Sequence, residues 1–198
     1  MLINSYVQKG ISMQESPFVK IFEEVAKEIQ SDLIVERGAN LFYQLQVNKK
    51  LELNVEDLKN PKRGQSAFQT DICLFEEIDG VKLPRIAIEF KTNISTHDIL
   101  TYSTKAGKHK GIYPFLRYGM LSSEIDSIPS RFFLHNEHLD FFIAGKNYKN
   151  ESVLKNLISE LIKKELAISH TLDDIYFEKK KFDFYRTDVI FENFSKDT

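Results

Sequence analysis

The chain has one cysteine, Cys73, so it forms no internal disulfide and offers no cysteine cluster for zinc. That usage fits a reducing, cytoplasmic setting. No apolar run is long enough to span a bilayer, and the start, "MLINSYVQKGISMQESP", lacks the basic-then-apolar pattern of a signal peptide. Strong charge of either sign is missing too. The net charge of −2 argues against a protein that coats nucleic acid by charge alone, so any nucleic-acid contact must come from a local patch. There is no repeat, no low-complexity tract and no phosphate-binding glycine loop. What is present is ample apolar material, 42% of 198 residues with 16 phenylalanines, enough for the core of one domain.

The chain reads as a single domain over 1–198, with a core over about 16–145 and a helical, aromatic C-terminal segment over about 146–198 that could serve dimerisation or recognition. Ser16-Pro17 has the form of a cap and a first-turn proline, and Phe18, Ile21, Phe22, Val25 and Ile29 recur at helical spacing, predicting a helix over 16–31. Residues 41–55 read mostly as strand. "FQTDICLFEEI" (68–78), an Asp-Gly turn and "RIAIEFKTNI" (85–94) read as a hairpin. A capped helix is predicted over 97–107, strands over 112–121 and 139–145, and an amphipathic helix over 151–166. The order implies an α/β (α+β) fold, a mixed central sheet flanked by helices.

Alternation along the hairpin points Ile86, Ile88 and Phe90 to one face and Arg85, Ala87, Glu89 and Lys91 to the other. With a turn centred on Gly80, Asp71 lies opposite Glu89. Like charges facing each other destabilise a sheet, and a hard cation such as Mg²⁺, held by one or two carboxylates plus phosphate, is the natural compensation. Lys91 stands one step away, where it could orient a water or stabilise charge on a phosphate, and a lysine needs only modest help from its surroundings to have a depressed pKa. The acid-x-lysine triplet itself is common here. It recurs at Asp57-Leu58-Lys59 and Glu178-Lys179-Lys180, both in polar segments. On spacing alone, an ordinary ion pair on a wet sheet face explains Glu89 and Lys91 equally well.

An aspartate at the start of one strand, Glu-x-Lys in the next, and then a helix resembles the PD-(D/E)xK nuclease superfamily, and within it the type II restriction endonucleases most. The interval from Asp71 to Glu89 falls in that family's range. The proline of its motif is replaced by Thr70. The resemblance spans about 16–121 and implies that Asp71 and Glu89 bind Mg²⁺ while Lys91 assists the attacking water. Many members add an acid from the first helix; Glu28, bordering the apolar face, is the preferred candidate over Glu24.

A basic stretch follows. Between Lys91 and Arg117 the cations Lys91, Lys105, Lys108, Lys110 and Arg117 stand against Asp98 alone, with Tyr102, Tyr113 and Tyr118 interleaved. Lys62 and Arg63 sit in a glycine loop before the aspartate strand. Lys62, Arg63, Lys105, Lys108, Lys110 and Arg117 are therefore the candidate DNA contacts, with Arg117 placed to read a guanine edge. Lysines at a helix C-terminus also occur for the dipole alone. His135, His138 and Asp140 read as ordinary loop residues rather than a metal site, and Cys73 has no base to activate it. The expectation is a Mg²⁺-dependent endonuclease cutting double-stranded DNA at a specific sequence, as a homodimer if the target is palindromic. The rivals are a repair, junction-resolving or transposition nuclease of the same fold, and a non-catalytic DNA-binding subunit.

Overall fold

A computed structural model describes residues 16–190, apart from 31, 56, 65, 147, 149, 178 and 179 and the side chains of 16 and 17. The predicted cap at Ser16-Pro17, the acid of the Glu178 triplet and the last stretch of the aromatic tail lie outside the described residues. The fold is mixed α/β. Five strands form one sheet in the order β1 (Ile34–Arg37), β4 (Ile72–Ile78), β5 (Val81–Lys91), β6 (Arg117–Ser122) and β7 (Phe141–Ala144). A two-stranded sheet pairs β2 (Asn40–Phe42) with β3 (Ala67–Gln69). Helices α1 (Ser16–Ile29), α2 (Thr96–Lys110), α3 (Ser130–His135) and α4 (Glu151–Tyr176) flank them. Among the described residues no helix is long and apolar enough to cross a membrane.

Strand β5 is antiparallel to β4 and parallel to β6. Ile72, Leu74, Ile86, Ile88 and Phe90 pack under α1 and α4, through Phe22, Val25, Leu154, Ile158 and Ile162. The reverse face, Cys73, Ala87, Tyr118 and Met120, packs against Ile99 and Ala106 of α2 and Phe132 of α3. Burial on both faces is why β5 reads as an almost unbroken apolar run. It also removes the wet sheet face on which Glu89 and Lys91 could have been an ordinary ion pair.

Strong local signals position these elements. Asp79 (φ 52°) and Gly80 (φ 74°) close a two-residue turn between Ile78 and Val81, in the left-handed region that tight hairpins require. Ser95 caps α2 with Asp98 in a reciprocal capping box. Gly119 lets the Phe141 ring lie against β6; a Cβ there would sit 2.1 Å from the ring.

Several expectations need correction. Residues 43–55 are not strand: after Phe42 only an isolated Val47–Leu53 bridge remains, and Leu45, Val47, Leu51 and Leu53 are exposed. With nothing to pack against, their apolar alternation cannot hold a sheet. Residues 112–116 precede β6 as turn. The helix begun at 151 extends to 176 and buries Leu154, Ile158, Ile162 and Leu166 in the main core, so α4 belongs to the domain. Residues 182–190 carry exposed Phe182, Phe184, Tyr185, Val189 and Ile190 without regular structure.

Candidate active site

The two carboxylates meet through a register that depends on an irregularity. The turn pairs Ile78 with Val81 and Phe75 with Pro84, but a bulge between Leu74 and Phe75 shifts the ladder, so that Leu74 pairs with Ile86 and Ile72 with Ile88. Extended one step, this register sets Asp71, in the bend before Ile72, opposite Glu89. The extra residue of the bulge, Arg85, leaves the Glu89 row and reaches Glu76 (2.7 Å) and Asp173 of α4 (3.2 Å).

Glu89 is only 2% exposed. Its Oε1 accepts from Lys105 Nζ at 2.6 Å and from the Tyr118 hydroxyl. Burial, and then the neighbouring Asp71 charge, raise its pKa to about 7 against the pull of Lys105. Asp71 is solvent-facing, and its Oδ2 accepts the Phe90 N–H at 2.8 Å, which ties the carboxylate to the strand carrying Glu89.

Lys91 lies over the Tyr102 ring, 5.2 Å from its centroid, and is hydrogen-bonded to its hydroxyl. The surroundings give no such help toward a depressed pKa. Burial pulls it down, but Tyr102 and the charges of Asp71 and Asp98 outweigh burial and hold it above the ordinary lysine value. Lys91 is therefore an ammonium, a donor and counter-charge rather than a base.

Sequence reasoning placed Lys105 among the DNA contacts; it is instead inside the centre, bonded to Glu89 and, at 2.5 Å, to the Gln69 carbonyl. Lys110 and Arg117 are also held elsewhere. Lys110 Nζ meets the Asp140 carboxylate at 2.7 Å. Arg117 meets Asp140 at 2.8 Å and Glu165 at 2.6 Å, so its guanidinium is occupied and does not present a fork to a base edge. Asp140 also accepts the Tyr118 N–H at 2.7 Å, which makes it the hub of an ion-pair network rather than a partner of His135 and His138. Lys62, Arg63 and Lys108 are exposed, with Lys108 over the Tyr43 ring at 5.2 Å.

Glu28 is not brought to the centre. It is exposed and lines a groove between α1 and α4 with Lys155 and Lys163, while α1 packs on the Ile86–Ile88 face of the sheet, opposite the Glu89 row. The α1 acid directed toward the Asp71 end is Glu23. It pairs with Arg37, the β1 residue opposite Ile72. A helical wheel shows only where the apolar stripe ends, not which strand the flanking acid will meet.

Tyr118 and His109 carried no readable signal of their positions. His109 is fully buried, stacks on Tyr118 at 5.8 Å and bonds the Phe42 carbonyl through Nδ1 at 2.9 Å. Burial pushes its pKa down to about 4, so it is neutral and donates that bond. Cys73 is buried with its thiol pKa raised by burial, which suits an inert core residue.

The donor set fits a hard divalent cation. Two carboxylates sit side by side, one withheld from water and destabilised by the other's charge. Among the described residues no three His, Cys, Asp or Glu side chains converge, so an ion here would complete its shell from water and phosphate. No protein-family model matches the chain, and no curated protein matches it in sequence.

Proposed function

We propose that the chain is a Mg²⁺-dependent nuclease of the PD-(D/E)xK superfamily that hydrolyses phosphodiester bonds of double-stranded DNA, in the manner of a type II restriction endonuclease. The observation that carries this reading is the buried Glu89 carboxylate, set opposite Asp71 and held at a pKa of about 7. A carboxylate placed where its own charge is disfavoured, beside another, is characteristic of a functional site rather than of a solvated surface. The mixed sheet, with an antiparallel hairpin carrying the acids and α2 following directly, supports a restriction-endonuclease-like core.

In this mechanism Asp71 and Glu89 would hold the ion, which when bound would supply Lewis-acid polarisation of a phosphoryl oxygen and a more acidic water. Tyr118 and the Phe90 N–H fix the two carboxylates in place. Lys91, an ammonium braced by Tyr102, orients the attacking water and offsets charge that develops on the phosphate. Lys62, Arg63 and Lys108 supply phosphate contacts that position the duplex. A palindromic target calls for a homodimer.

The test is incubation of unmethylated phage DNA with the protein, with Mg²⁺ or with EDTA, alongside Asp71→Asn and Lys91→Ala. Discrete fragments that vanish with EDTA and with either substitution are expected. Cutting of branched DNA alone would reassign the enzyme to repair or junction resolution. Inert behaviour on duplex, branched and single-stranded DNA would remove the nuclease reading.

A further inference from the structure

The lysine of the Glu-x-Lys motif does not touch the glutamate; a different lysine does. Lys105 Nζ lies 2.6 Å from Glu89 Oε1, and the two side chains are 15% and 2% exposed. The same ammonium bonds the Gln69 carbonyl at 2.5 Å and lies 5.7 Å from the centre of the Tyr102 ring. It therefore has two further attachments that do not involve the carboxylate.

We propose that Lys105 is the resident counter-cation of the centre: its ammonium occupies Glu89 while no divalent ion is bound, and yields that oxygen when one arrives. This deepens the nuclease reading and rests on it. The physical need is clear. A buried carboxylate without a partner is costly, and the Tyr118 hydroxyl is a neutral donor that supplies no charge. Lysine suits the exchange better than arginine. Its ammonium is a point charge on a flexible stem, so it can release one acceptor and keep the others, whereas a guanidinium fork would be held by geometry. The Gln69 carbonyl and the Tyr102 face give it a place to stay after release. Lys105 is thus a positioning residue. It keeps the metal-free centre assembled, and it lowers the centre's affinity for the ion by competing for Glu89 and by repelling a second positive charge.

The experiment needs no DNA. Mg²⁺ and Mn²⁺ are titrated calorimetrically into metal-free full-length protein at pH 8.5, for wild type, Lys105→Met, Lys105→Gln and Lys91→Met. Removing the Lys105 charge should tighten metal binding about tenfold, the low end for a close charge pair withheld from solvent. Lys91→Met should tighten binding by less, because Lys91 acts on Asp71 through its charge while its hydrogen bond goes to Tyr102. Equal or weaker binding by folded Lys105→Met or Lys105→Gln would overturn the counter-cation role and leave the nuclease reading standing. Absence of metal binding in wild type and every variant would overturn both. If neither Lys105 variant folds, wild type alone decides by NMR. A slowly exchanging Lys105 ammonium resonance should shift on adding Mg²⁺, and a resonance unmoved at saturating metal refutes the exchange.

Discussion

Glu89→Gln should make the protein more stable and inactive at once. The substitution keeps shape and hydrogen-bonding capacity but removes the charge. The Glu89 pKa rises from an ordinary 4.5 to about 7 in the fold, chiefly through burial. The folded state therefore holds this proton more tightly than the unfolded chain does. Between those two values the folded state binds more protons, so stability falls as pH climbs from about 4.5 to about 7, and is level above. At about 1.4 kcal/mol per pH unit the loss is about 3.5 kcal/mol. In a domain of this size that is a fall in Tm of about 7 to 14 °C. The assay is urea and thermal unfolding in EDTA at pH 5 and pH 8.5. Wild type should lose most of this stability across the interval relative to Glu89→Gln, which lacks the group. Excess Mg²⁺ at pH 8.5 should restore wild type and leave the variant unmoved, since an ion stabilises only the state that binds it. Parallel pH curves for the two proteins would refute the reasoning, because they would mean that Lys105 and Tyr118 fully compensate the buried charge.

Other consequences can be checked alongside. Asp140→Ala removes the acceptor shared by Lys110, Arg117 and the Tyr118 N–H, and should cost about 3 to 5 kcal/mol in chemical unfolding, because the partly buried Lys110 loses its counter-charge while Arg117 keeps only Glu165. Gly119→Ala drives a methyl into the Phe141 ring and should destabilise by about 1 to 3 kcal/mol through displacement of β7, seen as faster amide exchange there. Glu28→Gln should leave cleavage within about twofold of wild type, since that side chain lies in the α1–α4 groove. Loss of cutting in Glu28→Gln would show that α1 approaches the acids in the DNA complex.

The parts of the fold that sequence revealed are those whose information is local. The Asp79-Gly80 turn, the Ser95–Asp98 capping box, and the apolar faces of α1 and α4 each rest on a few neighbouring residues. Strand β1 and helix α3 escaped notice because four and six residues are too few to display a period. The excursion after Phe42 misled in the other direction. Its leucines and valine alternate, but the chain offers them no partner strand. The site divides along the same line. That one hairpin carries Asp71, Glu89 and Lys91 was legible; the bulge that sets the register of the two acids was not. Lys105 and Tyr118 were not, because they reach Glu89 from α2 and β6, and a contact between elements leaves no spacing to read. Their helix-end and strand settings each had an ordinary explanation in the dipole or the core.

The bulge at Leu74/Phe75 gives the hairpin an odd–even logic. Continued from its turn without interruption, the ladder would set Asp71 against Ile88; the one inserted residue sets it against Glu89 instead. The juxtaposition of the two acids is thus written in the parity of a residue count as much as in side-chain identity. Chain-length variation between Ile78 and Ile86 is tolerable only where it preserves that parity. A single deletion there would leave every acid and lysine in the sequence while turning the aspartate toward the wrong partner.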